Sequence, residues 1–72
     1  MNPFLAISYN DDIDISARAT QDMVENGINL GEAMRNAAQA IGGEGGGHPV
    51  AAGASIPKGK EEEFLKLLDE LL

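Results

Sequence analysis

Gly42-Gly43-Glu44-Gly45-Gly46-Gly47-His48-Pro49-Val50-Ala51-Ala52-Gly53 places five glycines and the only histidine within seven residues, with small apolar residues directly after. Glycine admits positive φ and lets a ligand approach bare N–H groups. Successive N–H groups pointing one way form an anion-binding nest. An imidazole at the end of such a loop adds a side-chain donor to the same anion, a stronger one when protonated. The run therefore predicts a phosphate-recognising loop, with His48 as its side-chain reader. A flexible linker would continue into polar residues; this run continues into Val50-Ala51-Ala52 and belongs inside a domain. It lacks the Gly-Lys-Ser/Thr ending of a P-loop and the acidic partner of a dinucleotide fingerprint.

Outward from the run, the local signals are those of a small α+β domain. Ala51 to Ile56 is small and apolar and reads as a strand leaving the loop. Before the run, Leu30, Ala33, Met34, Ala37, Ala38 and Ile41 form one apolar helical stripe that stops at Gly42-Gly43. Asn29 stands at its start with Glu32 three residues on, in the manner of a capping box. Thr20 is placed to cap a shorter helix that ends before Gly27. Pro57 and Gly59 interrupt the chain, and Glu61-Glu62-Glu63 then open a last helix, where carboxylates favour the positive end. Phe64, Leu67, Leu68 and Leu71 give that helix one stripe expected to be buried.

The N-terminal third reads as a hairpin. Phe4 to Tyr9 is mostly apolar and is expected to be a buried strand; Asn10-Asp11-Asp12 is a turn signal. Ile13, Ile15, Ala17 and Ala19 alternate with Asp14, Ser16 and Arg18, which puts Ser16 and Arg18 on one polar face. The expected architecture is a small sheet, made of this hairpin and a third strand, with about three helices packed on it. Of the three aromatic residues, Phe4, Tyr9 and Phe64, two are expected in the core, leaving no base-stacking surface.

Composition narrows the functional classes. Seventy-two residues make one small domain of modest stability. With no cysteine, disulfides and thiolate metal sites are excluded. No apolar run approaches the ~20 residues of a membrane span, and Met1-Asn2-Pro3 opens no signal peptide, so no membrane partner and a cytoplasmic location are expected. A net charge of −7 argues against binding by a broad basic face, so phosphate recognition must be local. Asp11, Asp12 and Asp14 fail the calcium-loop pattern, which needs a glycine where Ile15 stands and a glutamate where Gln21 stands. His48 has no neighbouring His or Cys for a metal site, and no nucleophile–base–acid set is readable.

Three segments together resemble a known family. Ile15-Ser16-Ala17-Arg18-Ala19, Asn29-Leu30-Gly31 and Gly45-Gly46-Gly47-His48-Pro49-Val50-Ala51-Ala52-Gly53-Ala54 look like the first subtype of DHH-associated domain. This is the C-terminal substrate-binding module of DHH-family phosphoesterases, and the likeness is greatest to archaeal RecJ-like single-strand-specific exonucleases. It runs from about Phe4 to Leu72. The resemblance implies that Gly45, Gly46, Gly47 and His48 contact a substrate phosphate, that Arg18 helps clamp the nucleotide, and that Ser16 assists. It implies single-stranded DNA or RNA, or a short oligonucleotide, as ligand. It also implies a catalytic DHH domain holding Mn²⁺ or Mg²⁺; no DHH motif and no metal-binding aspartate set stands in these residues. The chain is then a non-catalytic domain of a larger phosphodiesterase, with no cofactor of its own and weak, salt-sensitive binding near ~10⁻⁴ M. The alternative is an interaction module: Asp11, Asp12, Asp14, Asp22 and Glu25 would dock a replication or repair partner, and the glycines would be architectural.

Overall fold

The computed structural model describes residues 4–72. The elements run β1 (Phe4–Tyr9), β2 (Ile13–Arg18), α1 (Gln21–Glu25), α2 (Leu30–Ala40), β3 (Glu44–Gly47), β4 (Ala51–Ile56) and α3 (Glu61–Leu71). The strands form one antiparallel sheet in the order β1-β2-β4-β3. The α+β class and the three helices are as the sequence predicts. The sheet has a fourth strand, because the glycine run itself is β3.

Local chemistry sets the helix starts. Thr20 Oγ1 accepts from Met23 N at 3.2 Å, and Asn29 Oδ1 accepts from Glu32 N at 3.1 Å. Each bond satisfies an N–H that the first helical turn leaves without a partner. Replacing Asn29 by Ala is expected to cost about 1 kcal/mol, read as a lower midpoint of urea unfolding; an unchanged midpoint would mean that water replaces the cap at no cost.

Packing decides what is buried. Ile13, Ile15 and Ala17 of β2 and Ala54 and Ile56 of β4 meet Leu30, Ala33, Met34, Ala37 and Ala38 of α2 and Phe64 and Leu68 of α3. The stripe on α2 is thus the centre of the core. Helix α2 lies on β3 and β4, and α3 packs on α2. No helix covers β1.

That arrangement corrects three expectations. Strand β1 is exposed along its whole length. Leu5, Ile7 and Tyr9 pair with Ala17, Ile15 and Ile13, which puts them on the core side of the sheet, yet they remain open because the helical layer stops short. Phe64 is therefore the only aromatic in the core among the described residues. Leu71, on the same expected stripe as Phe64, is 49% exposed, at a shallow surface pocket it lines with Asn29, Ala33 and Asn36. No helix of the described residues is long and apolar enough to cross a membrane.

Candidate nucleic-acid interface

The face of the sheet turned away from the helices carries the sequence-predicted residues. On β2, burial of Ile13, Ile15 and Ala17 turns Asp14, Ser16 and Arg18 outward. On β4, burial of Ala54 and Ile56 leaves Ala51, Gly53 and Ser55 on the outer side. The registers Ser16↔Gly53 and Gly46↔Gly53 then build a cross-strand row from Ser16, Gly53 and Gly46. Apart from the Ser16 hydroxyl, this row has no side chain beyond Cα, so it is a bare floor.

One row lies on each side of that floor. Arg18 pairs with Ala51, and Ala51 with His48: His48 N donates to Ala51 O at 2.8 Å, and Ala51 N donates to His48 O at 3.2 Å. Arg18 and His48 therefore share a row with only the methyl of Ala51 between them, two strand spacings or about 10 Å apart along the backbone. Both residues are exposed. On the other side, Asp14 pairs with Ser55 and Ser55 with Glu44. The outer face is thus polarised, with cation-capable donors on one side of the floor and carboxylates on the other. Neither Arg18 nor His48 enters an ion pair among the described residues; the pair present is Lys60–Glu63 at 3.5 Å.

The turn that carries His48 is held at three points. Besides the His48–Ala51 pair that closes the β3–β4 hairpin, Pro49 O accepts from Leu30 N at 3.1 Å and Val50 O accepts from Ala19 N at 2.9 Å. The hairpin tip is thereby fastened to the start of α2 and to the end of β2. This fixes His48 relative to Arg18 although thirty residues separate them in sequence.

The glycines take a backbone geometry different from the nest the sequence suggested. Nest geometry needs alternating helical and left-handed backbone, whereas Gly45, Gly46 and Gly47 are extended in β3. Their successive N–H groups point to alternate sides, so they form no continuous nest. Gly46 has φ 152° and Gly47 φ 139°, values that side-chain-bearing residues rarely adopt. Gly47 also lies against α2: a Cβ on Gly31 would land on the Gly47 carbonyl oxygen and 2.7 Å from its carbon. Of the predicted set, Ser16, Arg18, Gly46 and His48 come together on the outer face. Gly45 and Gly47 have the inward parity, and a Cβ on Gly45 would meet Met34 O at 2.7 Å.

Two residues of this face were not singled out from sequence. Gly53 supplies the centre of the floor; its register with both Ser16 and Gly46 was the missing information. Phe4 pairs directly with Arg18 and stands 73% exposed, not in the core. The even-numbered parity it shares with Ala6 and Ser8 was readable, but the apolar run hid it. Among the described residues no three His, Cys, Asp or Glu side chains converge as a metal site would require.

Comparison with known proteins bears on the family and the fold. The family model described as a DHHA1 domain matches residues 2–72. An uncharacterized protein of Methanocaldococcus jannaschii is 48% identical over 69 residues, covering 92% of this chain and 16% of that protein. The alanine–tRNA ligase of Bacillus subtilis is 39% identical over 67 residues, covering 90% of this chain and 8% of the ligase. Among solved structures, the C-Ala domain from Aquifex aeolicus alanyl-tRNA synthetase matches with a TM-score of 0.81 at 25% identity, over 97% of this chain and 64% of that one. The DHH domain structure of a member of the s1p family of ribosomal proteins matches with a TM-score of 0.72 at 28% identity, over 96% and 16%. The chain spans less than a fifth of the length of these curated relatives.

Proposed function

The chain belongs to the DHHA1 domain family, and from that premise we propose that it is a nucleic-acid-binding module that grips a backbone phosphate between Arg18 and His48. The observation that carries this reading is their shared row, set by the Arg18↔Ala51 register and the His48–Ala51 bond pair, beside a floor without bulk. A planar guanidinium offers a fork to a phosphate, and an imidazole adds a second donor from the opposite side. The carboxylates of Asp14 and Glu44 repel phosphate from the far side of the floor and so fix where the backbone runs. A net charge of −7 is compatible with this arrangement because the grip is local.

The finer form of the proposal is that the module holds single-stranded DNA for a RecJ-like exonuclease whose catalytic DHH domain lies elsewhere in the parent chain. Mn²⁺ or Mg²⁺ would be bound there, since the donor set described above does not fit a metal. Relatives described by a DHH domain and by alanyl-tRNA synthetase support a nucleic-acid ligand as the class. The interaction-module alternative gains no such support. Asp11 and Asp12 precede β2 while Asp22 and Glu25 follow it, and a six-residue strand keeps them about 20 Å apart.

An amide NMR titration with a short single-stranded oligonucleotide at low salt tests the reading. Shifts are expected on Arg18, Gly46, Gly53 and His48. Arg18→Ala and His48→Ala should each weaken binding about tenfold, the scale of one charge-assisted hydrogen bond. A folded double variant that binds like the parent would remove the proposal.

A further inference from the structure

Phe4 opens β1 with its ring in water, at 73% exposure the most open of the large hydrophobic side chains among the described residues. A single exposed apolar side chain needs no explanation of its own. Its position is what matters. Phe4 pairs directly across the strand with Arg18, and both have the outward parity. Directly opposed side chains on one face of an antiparallel pair have Cβ atoms about 4.5–5.5 Å apart. The row therefore reads Phe4, Arg18, Ala51, His48: an aromatic face, a phosphate fork, a methyl and an imidazole.

The core has no use for this ring. The inward positions of β1 are Leu5, Ile7 and Tyr9, which pair with the buried residues Ala17, Ile15 and Ile13. Around the ring the outer face is small: Ala6 and Ser8 follow on β1, and Ser16 is the next outward residue on β2. A flat ligand has room to lie on the ring beside the guanidinium. A nucleotide whose phosphate sits on Arg18 carries its base within that reach.

We propose that Phe4 is a base-stacking platform, so that the site recognises a nucleotide by its phosphate and its base together and requires that base to be unpaired. Every base offers a π-face, so the contact is tolerant of sequence. A base inside a duplex is already stacked and paired, so the ligand is single-stranded or a frayed end. The inference rests on the Arg18–His48 phosphate reading and extends it from the phosphate to the base.

The test compares a short oligodeoxyadenylate with an abasic tetrahydrofuran oligomer of equal length, using the 72-residue chain. The parent chain is expected to bind the base-bearing strand about tenfold more tightly, the order of one base–aromatic stack. Phe4→Ala should erase that preference and leave the abasic affinity unchanged. Phe4→Trp should keep the preference, with indole fluorescence quenched by the base-bearing strand alone. Equal binding of the two oligomers by the parent chain, or a Phe4→Ala loss equal on both, overturns the proposal. Arg18→Ala separates the layers. If it weakens both oligomers while Phe4→Ala changes neither, only the stacking role falls. If it weakens neither, the phosphate site falls and the stacking role with it.

Discussion

Gly31→Ala is expected to lower the melting temperature by about 12–24 °C, the consequence of roughly 3 kcal/mol in a domain of this size. Helix propensity alone predicts the opposite sign, since Ala is favoured over Gly in a helix interior by about 1 kcal/mol. The larger effect is steric. The first turn of α2 meets β3 backbone to backbone, and a methyl on Gly31 has the Gly47 carbonyl in its place. Neither partner is a flexible side-chain end. The hairpin tip has little freedom to retreat, because Pro49 O and Val50 O are bonded to Leu30 and Ala19. Gly53→Ala is the control: its Cβ would approach Ile15 O at 3.5 Å, an ordinary contact, and the fold should lose no more than about 0.5 kcal/mol. Thermal melts by circular dichroism read both. A Gly31→Ala melt at or above the parent's would show that β3 can move away from the helix.

Phe64→Ala should remove about 3–5 kcal/mol, which is between about a quarter and all of the roughly 4–11 kcal/mol available to a chain this short. Phe64 is fully buried, and with Leu68 it forms the buried part of α3. A cavity in place of the ring leaves α3 attached to α2 by Leu68 and half-buried neighbours. Leu71→Ala, one turn beyond Leu68 and half exposed, should cost less than about 1 kcal/mol. Urea unfolding distinguishes them: the midpoint falls sharply for Phe64→Ala and little for Leu71→Ala, with the slope unchanged in both. Equal losses would mean that the last turn of α3 is held more firmly than its exposure shows.

The contrast between Phe64 and Leu71 illustrates what was legible in the sequence. Periodicity places both on one stripe, but only the tertiary layer decides how far along the stripe cover extends. The helix starts were legible because capping is a contact between near neighbours, as at Thr20 and Asn29. Strand β2 was legible because a half-covered strand alternates. Strand β1 was misjudged for the same reason as Leu71: an apolar run does not reveal whether anything will cover it. Strand β3 was invisible, because glycines have no side-chain alternation to read and weaken a strand by local preference. Its pairing with β4 and its contact with α2 impose the conformation.

The site divides along the same line. Ser16 and Arg18 were placed on one face by alternation within a strand. The meeting of Arg18 with His48 depends on β2 lying beside β4, a fact about distant parts of the chain. The bare floor was anticipated as a phosphate-recognising loop because the same glycines suit a loop or a strand; register with Gly53 and Ser16 is what distinguishes them.

The strand order has a consequence for how the domain acquires its shape. Each outer strand reaches its neighbour through a short turn, so β1–β2 and β3–β4 are local ribbons that can form early. The central β2–β4 contact joins ribbons from opposite halves of the chain, and closing it must first order the segment that contains both α1 and α2. A ribbon alone is marginal in water. Pairing the two halves over the α2 stripe therefore carries the larger loop-closure cost, and the row that brings Arg18 to His48 exists only once β2 and β4 are paired.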